Sequence, residues 1–345
     1  MSAEERSGDV RETLPEPPTY VHGDTGAGPR STQAARTEVG RRDGGERRMV
    51  PKERPRSYYG RPVVKPPIWT WEIPTYFFTG GTGGASSALA LGAELAGNRK
   101  LAHRAWLIAL ASIGVSPVLL VSDLGRPLRF INMLRVFKVT SPMNMGSWLL
   151  TANGLAITPA ATYGVLRRPR RIGPVAQWAA GLLGAPLAAY TATLLSNTAI
   201  PAWSEARWEL PMGFAASGAA SAGAAATILT PARHVAPARR LAIGAAIVEA
   251  AVTETMGRRL GEVGEPYRKG TAGKLLHAAK PLTVGGALIL RGAGSRSRRR
   301  VIAGAAMLLA GSVLERWGVF RAGFQSAEDP RYVVGPQRAR VRNRG

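Results

Sequence analysis

The side chains of this chain that could do chemistry are a few ionisable residues set in or beside long uncharged stretches. Glu249 and Glu254 stand within residues 241–256. A carboxylate in apolar surroundings is costly unless paired or hydrated, and so marks a functional position by default. Glu249 is the deeper of the two. It reads either as part of a proton path or as a partner that Arg239 or Arg240 reaches by snorkelling. Glu254 precedes Arg258 by one helical turn and reads as an ion pair. Asp123 ends another uncharged stretch, three residues before Arg126; the two can pair at a surface or form a charged lip to a cavity. Glu315 and Arg316, near the end of the last apolar stretch, read as interfacial. Gly80 and Gly84, four apart in Gly80-Gly81-Thr82-Gly83-Gly84, permit close helix packing, backbone approach to a flat ligand, or both.

Other chemistries find little support. The chain has no cysteine, so it offers no thiolate for zinc, iron–sulfur or disulfide chemistry. Its histidines are His22, His103, His234 and His277, and none falls in the middle of an apolar stretch, which disfavours a haem held by two histidines. No metal-ligand cluster and no nucleophile–base pair stands out. The Gly-x-Gly patterns follow no strand, so dinucleotide binding has no basis.

The elements that must position these residues are apolar helices. The 345 residues carry 46 Lys+Arg against 22 Asp+Glu, a formal net charge of +24. Residues 1–65 hold 13 basic and 10 acidic residues with few aliphatic clusters, and predict a disordered tail. The remaining 33 basic residues gather mostly in short loops between apolar stretches, which is not how a basic nucleic-acid binder distributes charge. About 20 apolar residues cross a bilayer. Residues 73–93, 105–122, 145–166, 172–204 and 210–232 contain no charge; 241–256, 275–290 and 301–320 contain one or two. The expected fold is therefore an all-α polytopic transmembrane bundle of about eight spans, the last two short or tilted, over residues 66–320. A basic C-terminal tail, 321–345, follows. Stretch 172–204 is long enough for one tilted span or a span with an interfacial extension.

Trp69, Trp71, Tyr76, Phe77 and Phe78 at the first span, with Trp203 and Trp208 between the fourth and fifth, read as interfacial belts. Leu128, Phe130, Ile131, Met133, Leu134 and Phe137, alternating with Arg129, Arg135 and Lys138, predict a small amphipathic helix on the surface. Thr140-Ser141-Pro142 predicts the cap of the third span. An even number of spans puts both termini on one side, and the basic loops and tails mildly favour the cytoplasm. No leader peptide is visible, so the first span is the expected insertion signal.

Several motifs carry a family resemblance. Asp123-Leu124-Gly125-Arg126-Pro127, followed by Arg129-Phe130, Asn132-Met133-Leu134-Arg135 and Ser141-Pro142-Met143, resembles the NrfD/polysulfide reductase membrane-subunit family. So do Trp71-Glu72-Ile73-Pro74-Thr75-Tyr76-Phe77-Phe78-Thr79-Gly80-Gly81 and the stretch from Tyr190 to Asn197-Thr198-Ala199-Ile200-Pro201-Ala202-Trp203. The resemblance covers roughly residues 66–320 and is strongest in the first half. It implies a cofactor-poor subunit of the bacterial cytoplasmic membrane that exchanges electrons with menaquinone or another quinone and binds no haem or metal. It also implies a four-cluster ferredoxin-like iron–sulfur partner and a molybdopterin catalytic subunit, as in polysulfide reductase-like or formate dehydrogenase-like complexes.

By the same resemblance the quinone pocket lies among the first four spans, and Tyr190 is the foremost candidate for a head-group hydrogen bond. Glu72, Tyr76, Gly80, Asp123 and Arg126 complete the candidate quinone site, with Glu72 or Asp123 in the proton route. The first span lacks the histidine or amide the family often places there. Two other readings stand beside this one: a proton- or solute-translocating protein on the same scaffold, supported by Glu249, and a structural anchor whose pocket has decayed.

Overall fold

The computed structural model describes residues 62–342, apart from 127 and 293–296. The expected tail falls almost wholly outside the described residues. Within them the chain is helical, with no strand: α1 (Glu72–Leu95), α2 (Arg99–Asp123), α3 (Arg129–Met133), α4 (Pro142–Leu166), α5 (Gly173–Ser196), α6 (Pro201–Glu205), α7 (Glu209–Leu229), α8 (Ala236–Arg259), α9 (Gly270–Gly292), α10 (Arg298–Glu328) and α11 (Arg331–Arg342). A 3-10 turn, Glu265–Tyr267, joins α8 to α9.

Eight of these helices have 21 residues or more. By length and composition, α2, α4, α5, α7 and α10 are apolar enough to cross a membrane. The other three long helices are more polar: glycine, serine and threonine dilute α1, and charged residues interrupt α8 and α9. Large apolar side chains such as Val118, Leu155, Leu182 and Ile247 lie exposed on the long helices. Exposed apolar side chains on spanning helices are what a surface solvated by lipid tails requires.

The last span departs from expectation. It is neither short nor confined to 301–320, because α10 runs for 31 residues. Arg321 does not end it; Ala322, Phe324, Ser326 and Ala327 beyond it are buried. The boundary expected at residue 320 thus falls inside a helix, and most of the expected C-terminal tail is the end of α10 plus α11. Stretch 172–204 resolves into α5 and the short α6. The surface helix after α2 is only the five-residue α3, and Leu128, Ile131, Val136, Phe137 and Val139 around it are exposed.

Local signals explain several helix starts. Ser141 caps α4 by accepting from the Asn144 N–H at 3.4 Å, with Pro142 next to it. Asn98 caps α2 by accepting from the Leu101 N–H at 3.2 Å, and its amide donates to the His234 carbonyl at 2.9 Å.

Helix α1 is central, packing on α2, α5, α7 and α10. Two close crossings make that possible. A methyl on Gly84 would overlap the Gly184 carbonyl of α5, and one on Gly184 would overlap the Gly84 carbonyl in return. A methyl on Gly218 of α7 would sit 2.9 Å from the Gly81 carbonyl. Lipid tails give helices no hydrophobic reason to associate, so backbone approach of this kind supplies the dispersion contacts instead.

Candidate functional site

Two groups of polar side chains stand out, one at the end of the bundle where α1 begins and one in its interior. At the first, α1 starts beside the last turn of the antiparallel α2. Thr70 joins them. Its N–H and its hydroxyl both lie 3.4 Å from Asp123 Oδ1, and the hydroxyl also donates to Glu72 Oε2. Asp123 therefore meets Thr70, and through it Glu72, rather than pairing with Arg126. Arg126 is exposed in a turn allowed by the left-handed Gly125, φ 65°.

Glu72, Tyr76, Gly80 and Gly84 follow one another at intervals of four along α1 and so form one ridge. The Tyr76 side chain is 2% exposed, and its hydroxyl has no hydrogen-bond partner among the described residues. A methyl on Gly80 would lie 3.2 Å from the Tyr76 ring and 3.4 Å from the Thr191 methyl of α5. Gly80 thus makes room where Tyr76 packs near the last turns of α5. Tyr190, next to Thr191, is half-buried and donates its hydroxyl to the Pro142 carbonyl at the start of α4. Its ring occupies the space left by Gly146. That hydroxyl proton is committed to the protein, so in this geometry Tyr190 can only accept from a ligand, whereas Tyr76 can donate.

Part of the expected aromatic belt is core. Trp71 and Trp208 are 57% and 71% exposed, as a belt requires, but Phe77 and Trp203 are fully buried. Trp203 stacks on Trp69 at 5.8 Å, packs against Phe320 and Phe324, and donates to the Val319 carbonyl at 2.8 Å. The start of α1, α6 and the end of α10 are pinned together by this cluster, which gives the Glu72–Tyr76 segment a fixed frame.

The second group is interior. Glu249 of α8 is 5% exposed, Glu315 of α10 7% and Arg316 0%. The two carboxyl groups lie beside each other and beside the Ser217 hydroxyl of α7. Ser217 and Ser312 share a hydrogen bond at 2.9 Å. The Arg316 guanidinium lies 3.7 Å over the Phe214 ring, donates to the Phe214 carbonyl at 2.8 Å and approaches Glu315 Oε2 at 3.8 Å. Among the described residues its Nε and Nη1 have no hydrogen-bond acceptor, and Glu315 Oε2 has no donor.

This overturns the interfacial reading of Glu315 and Arg316. They sit midway along the 31-residue α10 and face the bundle interior. It also gives Glu249 its neighbours, which are α10 residues from across the bundle and not arginines on its own helix. Glu254 does pair as expected, with Arg258 at 3.1 Å, and with Lys280 at 3.5 Å. Sequence reasoning missed Thr70, Ser217 and Ser312, whose hydroxyls carry no pattern of their own. The signal for Arg316 was present: the residues beyond Arg321 stay mostly small or aromatic up to Glu328.

Among the described residues no group of three or more His, Asp or Glu could hold a metal ion. The family model described as polysulphide reductase, NrfD, matches residues 63–242, a span that holds both the Glu72–Tyr76 ridge and Tyr190. No curated protein matches the chain.

Proposed function

We propose that this chain, which belongs to the polysulphide reductase NrfD family, docks a quinone head group where α1 meets α5, with Tyr76 as its hydrogen-bond donor. The family comprises membrane subunits of quinone-interacting oxidoreductase complexes, which typically partner with iron–sulfur and molybdopterin subunits. The observation that carries the reading is the Tyr76 hydroxyl, without a protein partner among the described residues on a 2% exposed residue, one helical turn from a carboxylate linked through Thr70 to a second carboxylate.

These residues suit a quinone. A quinone carbonyl needs a donor at hydrogen-bond distance in largely apolar surroundings, and Tyr76 supplies one beside the small Gly80. When bound, the quinone supplies coupled electron and proton exchange. The chain's own part is to bind, orient and handle protons. Tyr76 donates to one quinone carbonyl, and Tyr190, whose own proton goes to the Pro142 carbonyl, stands nearby as an acceptor for a quinol hydroxyl. Glu72 and Asp123, bridged by the Thr70 hydroxyl at the open end, hold or release a proton at their carboxylate oxygens. Arg126 and Arg129, exposed beyond them, present positive charge to a partner subunit or to anionic lipid. In this reading the partner is a four-cluster ferredoxin-like iron–sulfur protein coupled to a molybdopterin enzyme, and the complex sits in the bacterial cytoplasmic membrane.

A second reading, proton translocation on the same scaffold, is favoured by the interior group at Glu249. The two are compatible, because the first group lies on α1, α2 and α5 and the second on α7, α8 and α10. Affinity purification of the full chain from native membranes in mild detergent, followed by mass spectrometry, tests the first. Co-purification of an iron–sulfur protein and a molybdopterin enzyme is expected. Recovery of the chain alone from membranes where it is abundant would remove the electron-transfer reading and leave translocation.

A further inference from the structure

The interior group contains three ionisable side chains, all within a tenth of full burial. If all three were charged, two carboxylates would face one guanidinium and leave one uncompensated negative charge inside the bundle. An isolated buried charge costs far more than the group's change of protonation state, so the group adjusts its protons instead. Two carboxyl groups sharing one site do so by keeping one proton between them.

The contacts support that count. Glu249 and Glu315 interact with each other, with Ser217 and with Arg316, and no other titratable side chain among the described residues joins them. Around the group α1 presents Gly81, α7 Phe214 and Ser217, α8 Glu249, and α10 Ser312, Glu315 and Arg316; α9, packed on α8 and α10, meets α10 through Thr283 at Gly311 and Leu276 at Gly318 and brings no titratable side chain to the pair. The guanidinium is held mainly by α7, over the Phe214 ring and at its carbonyl, while Nε and Nη1 stay without acceptors. It is therefore anchored at one edge and unsatisfied at the other, within 3.8 Å of Glu315 Oε2, which is itself unsatisfied. The open valences of Arg316 Nη1 and Glu315 Oε2 are thus on atoms of opposite charge that approach each other across the group.

We propose that Glu249 and Glu315 share a single exchangeable proton, with Arg316 as its counter-charge, forming a neutral one-proton site where α7, α8 and α10 meet. Arrival of the proton on one carboxyl leaves the other as the partner of Arg316. Transfer between them breaks one O–H bond and forms another, moves no electrons, and lets the free edge of the guanidinium follow the carboxylate. Glu315 and Arg316 thereby join Glu249 in a proton-handling role, and Ser217 and Ser312 are positioning residues that orient the pair. This extends the proton-path reading of Glu249 and does not depend on quinone binding.

Infrared spectroscopy of the full chain in detergent, in light and heavy water and without any quinone turnover, tests it. A protonated carboxylic acid gives a carbonyl stretch that shifts on deuteration. The wild-type chain is expected to show such a component near neutral pH. Glu249→Gln and Glu315→Gln, both uncharged and nearly isosteric, are each expected to abolish it, since the one remaining carboxylate then pairs with Arg316. Arg316→Gln is expected to increase it, because two carboxyls without a counter-charge take up a second proton. A component that survives unchanged in either Glu→Gln variant overturns the shared-proton site. So does its displacement by sodium at constant pH, which would make the occupant a monovalent cation. Either result leaves the quinone reading standing, and failure of the quinone reading leaves these spectra unaffected.

Discussion

Replacing Gly84 by alanine should separate the helices that form the proposed quinone site. The added methyl would overlap the Gly184 carbonyl and lie 3.1 Å from the Ala188 backbone nitrogen. Both obstacles are backbone, so no side-chain rotation relieves them, and α1 and α5 must move apart. Overpacking of this kind costs about 1–3 kcal/mol. The cost adds to lost dispersion contact along a crossing that has no hydrophobic drive in lipid. Gly92 on the same helix is the control, because a methyl there meets nothing within 4 Å. Alanine is favoured over glycine inside a helix by roughly 0.5–1 kcal/mol, so Gly92→Ala should be neutral or stabilising. A second control is Gly81→Ala, whose methyl would lie at ordinary contact distance, 3.5 Å from the Arg316 guanidinium and 3.9 Å from Gly218. The propensity gain is common to both substitutions, so equilibrium unfolding of the full chain in mixed micelles should place Gly84→Ala about 1–3 kcal/mol below Gly92→Ala. Gly81→Ala should fall close to Gly92→Ala. If Gly84→Ala matches Gly92→Ala, the close crossing of α1 and α5 is wrong, and with it the frame around Tyr76.

Four further outcomes follow from named contacts. Tyr76→Phe should slow quinone-dependent turnover by about tenfold at most, the value of one hydrogen bond of roughly 0.5–1.5 kcal/mol, with little change in unfolding; steady-state assays with added quinol measure it. Tyr190→Phe should instead lower stability by about 1 kcal/mol, because its hydroxyl donates to the Pro142 carbonyl, and a micelle unfolding series reads this. Trp203→Ala should cost about 3–5 kcal/mol, given its full burial and its bond to the Val319 carbonyl. The fourth concerns Glu265. The hydrogen bond from Lys269, then one from Tyr332 and the charge of Arg331, outweigh desolvation and hold its carboxyl below its ordinary value. A depressed carboxyl stabilises the folded state above its unfolded value of about 4.3 and loses that contribution as pH falls through the lower folded value. The protection factor of α11 amides, their exchange rate taken relative to the intrinsic rate at the same pH, should therefore fall on acidification below that range and also at high salt, since Arg331 ties α11 to Glu265 at 3.2 Å.

The sequence made the helices legible because charge is so unevenly placed. Uncharged runs locate α1, α4 and α7 to within three residues, and Ser141-Pro142 marks the start of α4; they miss the charged first turns of α2, which begins at Arg99, and run eight residues past the end of α5 into α6. The signal failed where a charge sat inside a helix or an aromatic sat near its end. Arg321 reads as a span boundary, which closes the apolar stretch at Phe320 and puts Glu315 and Arg316 at an interface; the helix continues about two turns further, and they lie in its middle. Trp203 and Trp71 both occur next to turns, and a linear pattern does not distinguish a belt residue from one covered by the end of another helix. In the candidate site, Glu72, Asp123 and Tyr76 were legible as residue types at one end of the bundle. Their connection through Thr70, and the commitment of Tyr190 to the Pro142 carbonyl, depend on side-chain directions that only the packed bundle fixes.

The central claim is that a quinone docks beside Tyr76, between α1 and α5. Photo-crosslinking of a quinone analogue to the full chain in its native complex, with the labelled peptides identified by mass spectrometry, tests it most directly. The account predicts labels on the segment 72–80 and near Tyr190, competed away by unmodified quinone and weakened by Tyr76→Phe. Competable labelling confined to the opposite end of the bundle, or none above that of an unrelated membrane protein, would contradict it.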